Sequence, residues 1–249
     1  MLFTLSVRSS VVAASALVAF AAQAGAETII LRSGQVSGVP GLPTQVDDSM
    51  TFGPFAPTGP LSANPFTAAD FNATTANQAV VVNPYTSWLA TLPFDSQARW
   101  VGTGNVTLPF SGNDLGQVST VLYRVPFTVT TVGITSASIS IAWACDDTLG
   151  DLLYGGANPV GAYLRDPFGN VTALTPVAGG GFSFQSLVLN YNITGAIGTG
   201  LNELFLYQRD QGSGISGLIF SAEITVLPSP AAASLLGIAG LAATRRRRA

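Results

Sequence analysis

Three stretches of this 249-residue chain alternate residue by residue between two sets of side chains, and that rhythm limits the fold more than any other feature. Val121, Tyr123, Val125, Phe127 and Val129 alternate with Leu122, Arg124, Pro126 and Thr128. Ile139, Ile141 and Trp143 alternate with Ser140 and Ala142, and Leu218, Phe220, Ala222, Ile224 and Val226 with Ile219, Ser221, Glu223 and Thr225. Successive side chains of a strand point to opposite faces, so period two with one apolar face means strands packed on a core from one side. No internal 3.6-residue stripe of useful length competes with this pattern. With Gly/Asn turns between the segments, the expected class is all-β, a sandwich of antiparallel strands. Pro126 has no N–H to give a ladder and belongs at an edge or a bulge. Phe182 and Phe184 fall out of phase with Leu187, Leu189 and Tyr191, which predicts a bulge near Gln185-Ser186.

Ahead of these strands the signal is weaker. Ile29-Ile30-Leu31 reads as a first strand. Residues 33–78, with Gly53-Pro54-Phe55-Ala56-Pro57 and Gly59-Pro60, read as a long irregular region laid over the sheets by Phe52, Phe55, Phe66 and Phe71. Four segments result. They are 1–26, 27–82 (first strand and irregular region), 83–227 (the sandwich) and 228–249.

The outer two segments read as addresses. Arg8, the apolar stretch Val11–Ala22 and Ala24-Gly25-Ala26 before Glu27 have the order of a secretory signal peptide. The alternative is a permanent N-terminal anchor, for which the apolar stretch is short. At the other end, Pro228-Ser229-Pro230 precedes an apolar run from Ala231 to Thr244 and then Arg245, Arg246, Arg247 and Arg248. A helix from Leu227 to Thr244 would rise about 27 Å, nearly a hydrocarbon core, and the Arg cluster would hold its end in the cytoplasm. Arg8 and those four account for half of the ten basic residues. The segment between keeps five Arg against thirteen acidic residues, a net charge of about −8.

A Pro motif, a short apolar helix and a terminal Arg run resemble the PEP-CTERM sorting signal of Gram-negative bacteria. The resemblance covers roughly the last 22 residues and departs at Ser229, where the family usually has Glu. It implies recognition by an exosortase, a membrane protease-transpeptidase, membrane insertion through the C-terminal helix, and delivery to the cell surface or extracellular matrix. An ordinary C-terminal anchor is the alternative.

The body from about Asn83 to Val226 is similar to the galactose-binding-like jelly roll. The segments that carry the likeness are Ser96-Gln97-Ala98-Arg99-Trp100-Val101, Val121–Phe127, Trp143-Ala144-Cys145-Asp146-Asp147 leading to Asp151-Leu152-Leu153-Tyr154-Gly155-Gly156, Gly200-Leu201-Asn202-Glu203-Leu204, and Gly214–Leu218. The family commonly ends the strand after its acidic turn in Asn-Gly, where this chain has Gly155-Gly156.

Composition removes several chemistries. There is no His, no Lys and one Cys, Cys145. A His-based triad, a His-ligated zinc site, a P-loop and a Schiff-base mechanism are therefore excluded, as is an internal disulfide. The acidic body does not suit nucleic acid. In an exported chain, Cys145 reads as a small buried core residue. Asp146, Asp147 and Asp151 are the densest polar group. Three carboxylates in six residues are candidate oxygen ligands for Ca²⁺, or else a solvated loop with Asx turns. They could also supply an acid pair for glycoside hydrolysis, although adjacent Asp146 and Asp147 would point to opposite faces of a continuing strand. Arg99 and Trp100, with Trp88 and Tyr85 nearby, form a candidate sugar-stacking platform; the alternative is that the Trp rings fill the core. The leading expectation is an exported non-catalytic surface or matrix protein. A polysaccharide-binding module comes second and a secreted glycoside hydrolase third.

Overall fold

The computed structural model describes residues 25–56, 59–104, 120–174, 187–211 and 215–229. The chain is predominantly β. Its strands are β1 (Glu27–Arg32), β2 (Gln35–Val36), β3 (Val39–Pro40), β4 (Val46–Ala56), β5 (Asn77–Val81), β6 (Val101–Gly102), β7 (Thr120–Val129), β8 (Ile134–Asp146), β9 (Thr148–Leu149), β10 (Ala162–Arg165), β11 (Val171–Ala173), β12 (Leu187–Asn192), β13 (Gly200–Arg209) and β14 (Gly217–Pro228). One helical turn and a half, α1 (Ala68–Ala73), joins them. The helical tail and the bulge expected near Gln185-Ser186 lie outside the described residues. Among the described residues no helix is long and apolar enough to cross a membrane.

The alternation works as expected. Tyr123, Val125 and Phe127 of β7, Ile139, Ile141 and Trp143 of β8, and Phe220, Ala222 and Ile224 of β14 share one buried core with Leu204 and Leu206 of β13. Two packed layers result, but they are not two separate sheets. Hydrogen bonding runs without a break through β11-β10-β13-β7-β4-β5-β6-β14-β8-β12, so one antiparallel sheet curls round to face itself. The strands that carry it across are β4, β5 and β6, two of which come from the region expected to be irregular. β4 is interrupted by register shifts along both neighbours, and buried Asp47 near its start accepts the N–H groups of Gly34, Ser49 and Met50. Gly34 is required there: it has φ +72°, and a Cβ would lie 2.3 Å from that of Arg99. Pro126 pairs with Glu203 of β13, while the pairing of β7 with β4 ends at Arg124, so its missing donor falls on a locally unpaired flank.

Both outer faces are partly covered. Phe66 and Phe71 pack on Tyr163, Phe205 and Tyr207, with the Phe71 and Phe205 rings 4.8 Å apart. Those two Phe residues therefore do cover a sheet as the sequence suggested. Phe52 instead sits inside the main core, and Phe55 is exposed. On the opposite side Val82, Trp88, Leu92, Ala98 and Trp100 cover Ala142, Ala144 and Ile219.

The first and last strands pair with each other, from Glu27 opposite Val226 to Arg32 opposite Ser221. Glu27 closes this end by accepting the N–H of Thr130 at 2.9 Å and of Thr131 at 2.7 Å. Replacing Glu27 with Ala is expected to lower stability by about 1 kcal/mol, the net worth of exposed hydrogen bonds to a charged acceptor. A urea midpoint unchanged from wild type would show those bonds to be energetically idle.

Candidate functional site

β8 runs antiparallel to β14, with Asp146 opposite Gly217, so the acidic turn lies at the end of the sandwich away from Glu27 and Pro228. It is not a solvated loop. Asp146, Asp147 and Asp151 are 7%, 4% and 0% exposed. Burial of a carboxylate is tolerable only with partners, and here they come from the fold itself. Asp151 Oδ1 accepts Tyr207 Oη–H and Arg209 Nη1–H, both at 2.9 Å, and Oδ2 accepts the N–H of Asn158 at 3.0 Å. A Cβ on Gly156 would come within 2.3 Å of Asp151 Oδ2, which explains a glycine at that point. Asp146 Oδ2 accepts the indole N–H of Trp88 at 3.1 Å, and Asp147 Oδ2 the N–H of Gln211 at 2.6 Å. Burial, a hydrogen bond to Asp147 and the Asp147 charge together push the Asp146 carboxyl up to about 8.

Where Ca²⁺ was expected, the carboxylates are engaged by the fold. Asp151 spends its oxygens on Arg209, Tyr207 and Asn158. Among the described residues no three His, Cys, Asp or Glu side chains converge as a metal cluster. The hydrolytic pair fits no better. An acid with a raised pKa suits general acid catalysis, but the two carboxyls of a glycosidase stand about 5–9.5 Å apart across the scissile bond. Asp146 and Asp147 are hydrogen-bonded to each other and buried.

Trp100 is corrected as well. It is 1% exposed and stacked on Trp88 with centroids 4.2 Å apart, and its indole N–H is given to the carbonyl of Leu89 at 2.7 Å. Neither ring face is open to a sugar. Arg99 turns its Nη1 to the carbonyls of Ser96 and Ala98, at 2.7 and 2.8 Å. Trp100 packs the covering segment against the sheet, and the Arg99 guanidinium bonds within that segment. Cys145 is buried in the main core, where burial and the charges of Asp146 and Asp147 push its thiol well above the ordinary range. Of the sorting motif, Pro228 ends β14 and the Ser229 N–H bonds to the Gly133 carbonyl at 2.6 Å. Pro230, Arg245, Arg246, Arg247 and Arg248 lie outside the described residues.

The sequence reading missed a groove of about 270 Å³ on the open part of the β1–β14–β8 face. Its floor is Ile30, Arg32, Ser140, Ala142, Ser221 and Glu223, and its wall is Phe94 with Asp95. The covering segment stops there, leaving Phe94 71% exposed. Asp95 Oδ2 accepts Arg32 Nε–H at 2.5 Å and Ser221 Oγ–H at 2.6 Å, which pins the wall to the floor. Ser140, Ser221 and Glu223 were legible as outward members of alternating strands. Phe94 and Asp95 sit in a stretch without periodicity, and no local pattern marks them.

No family model and no curated protein matches the chain. Among solved structures, it has weak likenesses to the isomalto-dextranase of Arthrobacter globiformis T6 complexed with panose and to the enzymatically active domain of bacteriophage CBA120 tailspike protein 4. The first has 8% identity and a TM-score of 0.29, over 80% of this chain and 32% of that one. The second has 13% identity and a TM-score of 0.18, over 60% of this chain and 16% of that one. The chain thus spans about a third of the length of one and about a sixth of the other. At these scores neither likeness bears on activity.

Proposed function

We propose that this chain is an exported, non-catalytic β-sandwich protein of the cell surface or extracellular matrix, jelly-roll-like in its body and delivered by its C-terminal segment. The observation that supports this reading best is where the folded unit lies. Its first strand begins at Glu27 and its last ends at Pro228. Those limits fall within two residues of the ends of the two address segments. The reading is non-catalytic because the carboxylates marked by the sequence serve the fold. Replacing Arg245 to Arg248 by neutral residues in a Gram-negative host with an exosortase-type enzyme tests the delivery. Membrane retention or tail orientation is expected to be lost, since the Arg run sets topology. Unchanged fractionation and protease accessibility would overturn the sorting account.

A second reading, a module that binds an extracellular polysaccharide, is favoured by one observation. The groove beside Phe94 combines an exposed aromatic ring with hydroxyl and carboxylate groups on a rigid sheet.

A further inference from the structure

We propose that the open face of β1, β14, β8 and β12 binds an uncharged polysaccharide laid across the strands, with one sugar ring against Phe94. This rests on the second reading above and gives it a site and a ligand class.

Cross-strand register builds the face. Thr28, Thr225, Ser138 and Asn192 form one row across the four strands, and Ile30, Glu223, Ser140 and Asn190 form the next. Arg32, Ser221 and Ala142 make a third row, against which Phe94 and Asp95 stand as the wall. Neighbouring strands lie about 4.8 Å apart, so each row offers side chains at a spacing on the order of one sugar ring.

The chemistry selects the ligand. Hydroxyls and amides both donate and accept, as sugar hydroxyls do. Arg32 is paired with Asp95, so the one carboxylate left on the floor is Glu223, and the body carries a net charge of about −8. That field disfavours a polyanion. An apolar partner is equally unsuited, because among these floor residues Ile30 is the one large exposed hydrophobic. Phe94 is the exception that a sugar explains, since the C–H face of a pyranose packs on an aromatic ring. The wall needs little ordering on binding. Asp95 beside Phe94 is tied to Arg32, to Ser221 and, through Oδ1, to the N–H of Gln97 at 3.0 Å.

Affinity electrophoresis tests this with the full-length chain in a detergent that has no sugar headgroup. The gels contain dextran, soluble starch or hydroxyethylcellulose, with alginate as the polyanion. At least one neutral polymer should retard the wild type and alginate should not. Phe94→Ala should raise the polymer concentration needed by about tenfold, the scale of one lost stacking contact. Ser140→Trp, which obstructs the floor, should abolish retardation. Phe168→Ala, at an exposed aromatic outside the groove, should leave it unchanged. Melting curves of the variants check that each is folded. A wild type that ignores all three neutral polymers and alginate overturns both the polysaccharide reading and this site. Retardation that survives both Phe94→Ala and Ser140→Trp leaves the reading standing and overturns the site. Retardation by alginate alone overturns the ligand class.

Discussion

Replacing Asp151 with Ala is expected to destabilise the fold by about 3–5 kcal/mol, the range for breaking a buried ion pair from one side. The Arg209 and Asp151 side chains are 5% and 0% exposed, with Nη1 and Oδ1 2.9 Å apart. Truncation removes that partner, and also the acceptor of the Tyr207 hydroxyl and of the Asn158 N–H. Arg209 keeps the Gly155 carbonyl at 2.8 Å, which does not neutralise its charge. In a unit of this size each kcal/mol moves the melting temperature by about 2–4 °C, so a fall of roughly 6–20 °C should be seen by circular dichroism. A shift within the scatter of repeat melts would show the network to be dispensable. Replacing Asp151 and Arg209 together by apolar residues should cost less than Asp151→Ala, because no stranded charge remains.

The second large effect concerns pH. In the folded chain the Asp146 carboxyl is pushed up to about 8 by burial and by Asp147, whereas an unfolded Asp titrates near about 3.9. Between those values the folded state holds a proton that the unfolded state has released. The contribution of this group to stability is therefore complete below about pH 4 and is lost as pH rises toward 8, at most by about 1.4 kcal/mol per pH unit. Asp146→Asn mimics the protonated form and can still accept from Trp88. It should be more stable than wild type at pH 8 and close to it at pH 4. Buried Asp47 is also pushed up by desolvation, while Asp95 and Glu203, despite burial, are held down by hydrogen bonds from Ser221 and Arg32 and from Arg165 and Arg124. For that reason the difference between variant and wild type carries the result. A difference that stays constant from pH 4 to 8 would refute a retained proton.

The strands that were legible, β7, β8 and β14, are those with one face in the core and the other outside. There alternation follows burial where the outer face is open, as at Ser140 and Glu223, while outward Leu122, Ala144 and Ile219 are buried beneath the covering segments. β4 was not legible because its register shifts and its Gly53-Pro54 break interrupt the phase that a pattern needs. α1 has six residues, less than two turns, and Phe71 is the one residue it buries. The acidic turn was found in the sequence but given the wrong surroundings. Its partners Trp88, Tyr207 and Arg209 come from 56 to 58 residues away, and nothing local announces them. Trp100 illustrates the same point, since a neighbouring Arg suggested an exposed platform while Trp88, twelve positions earlier, covers its face. The groove combines both cases. Its floor follows from strand parity, and its wall is placed by the distant contacts of Asp95 with Arg32 and Ser221.

The antiparallel pairing of β1 with β14 has a mechanical consequence. Tension applied at Ser229 runs along the axis of β14, which is laddered to β8 from Gly217 to Pro228 and to β1 from Ser221 to Val226. Those hydrogen bonds lie across the strand direction. A pull along the strand loads them side by side, in shear, and extracting β14 requires that they fail together. Peeling them one at a time would need a force directed across the sheet. A body tethered through this strand is built to hold its shape under drag.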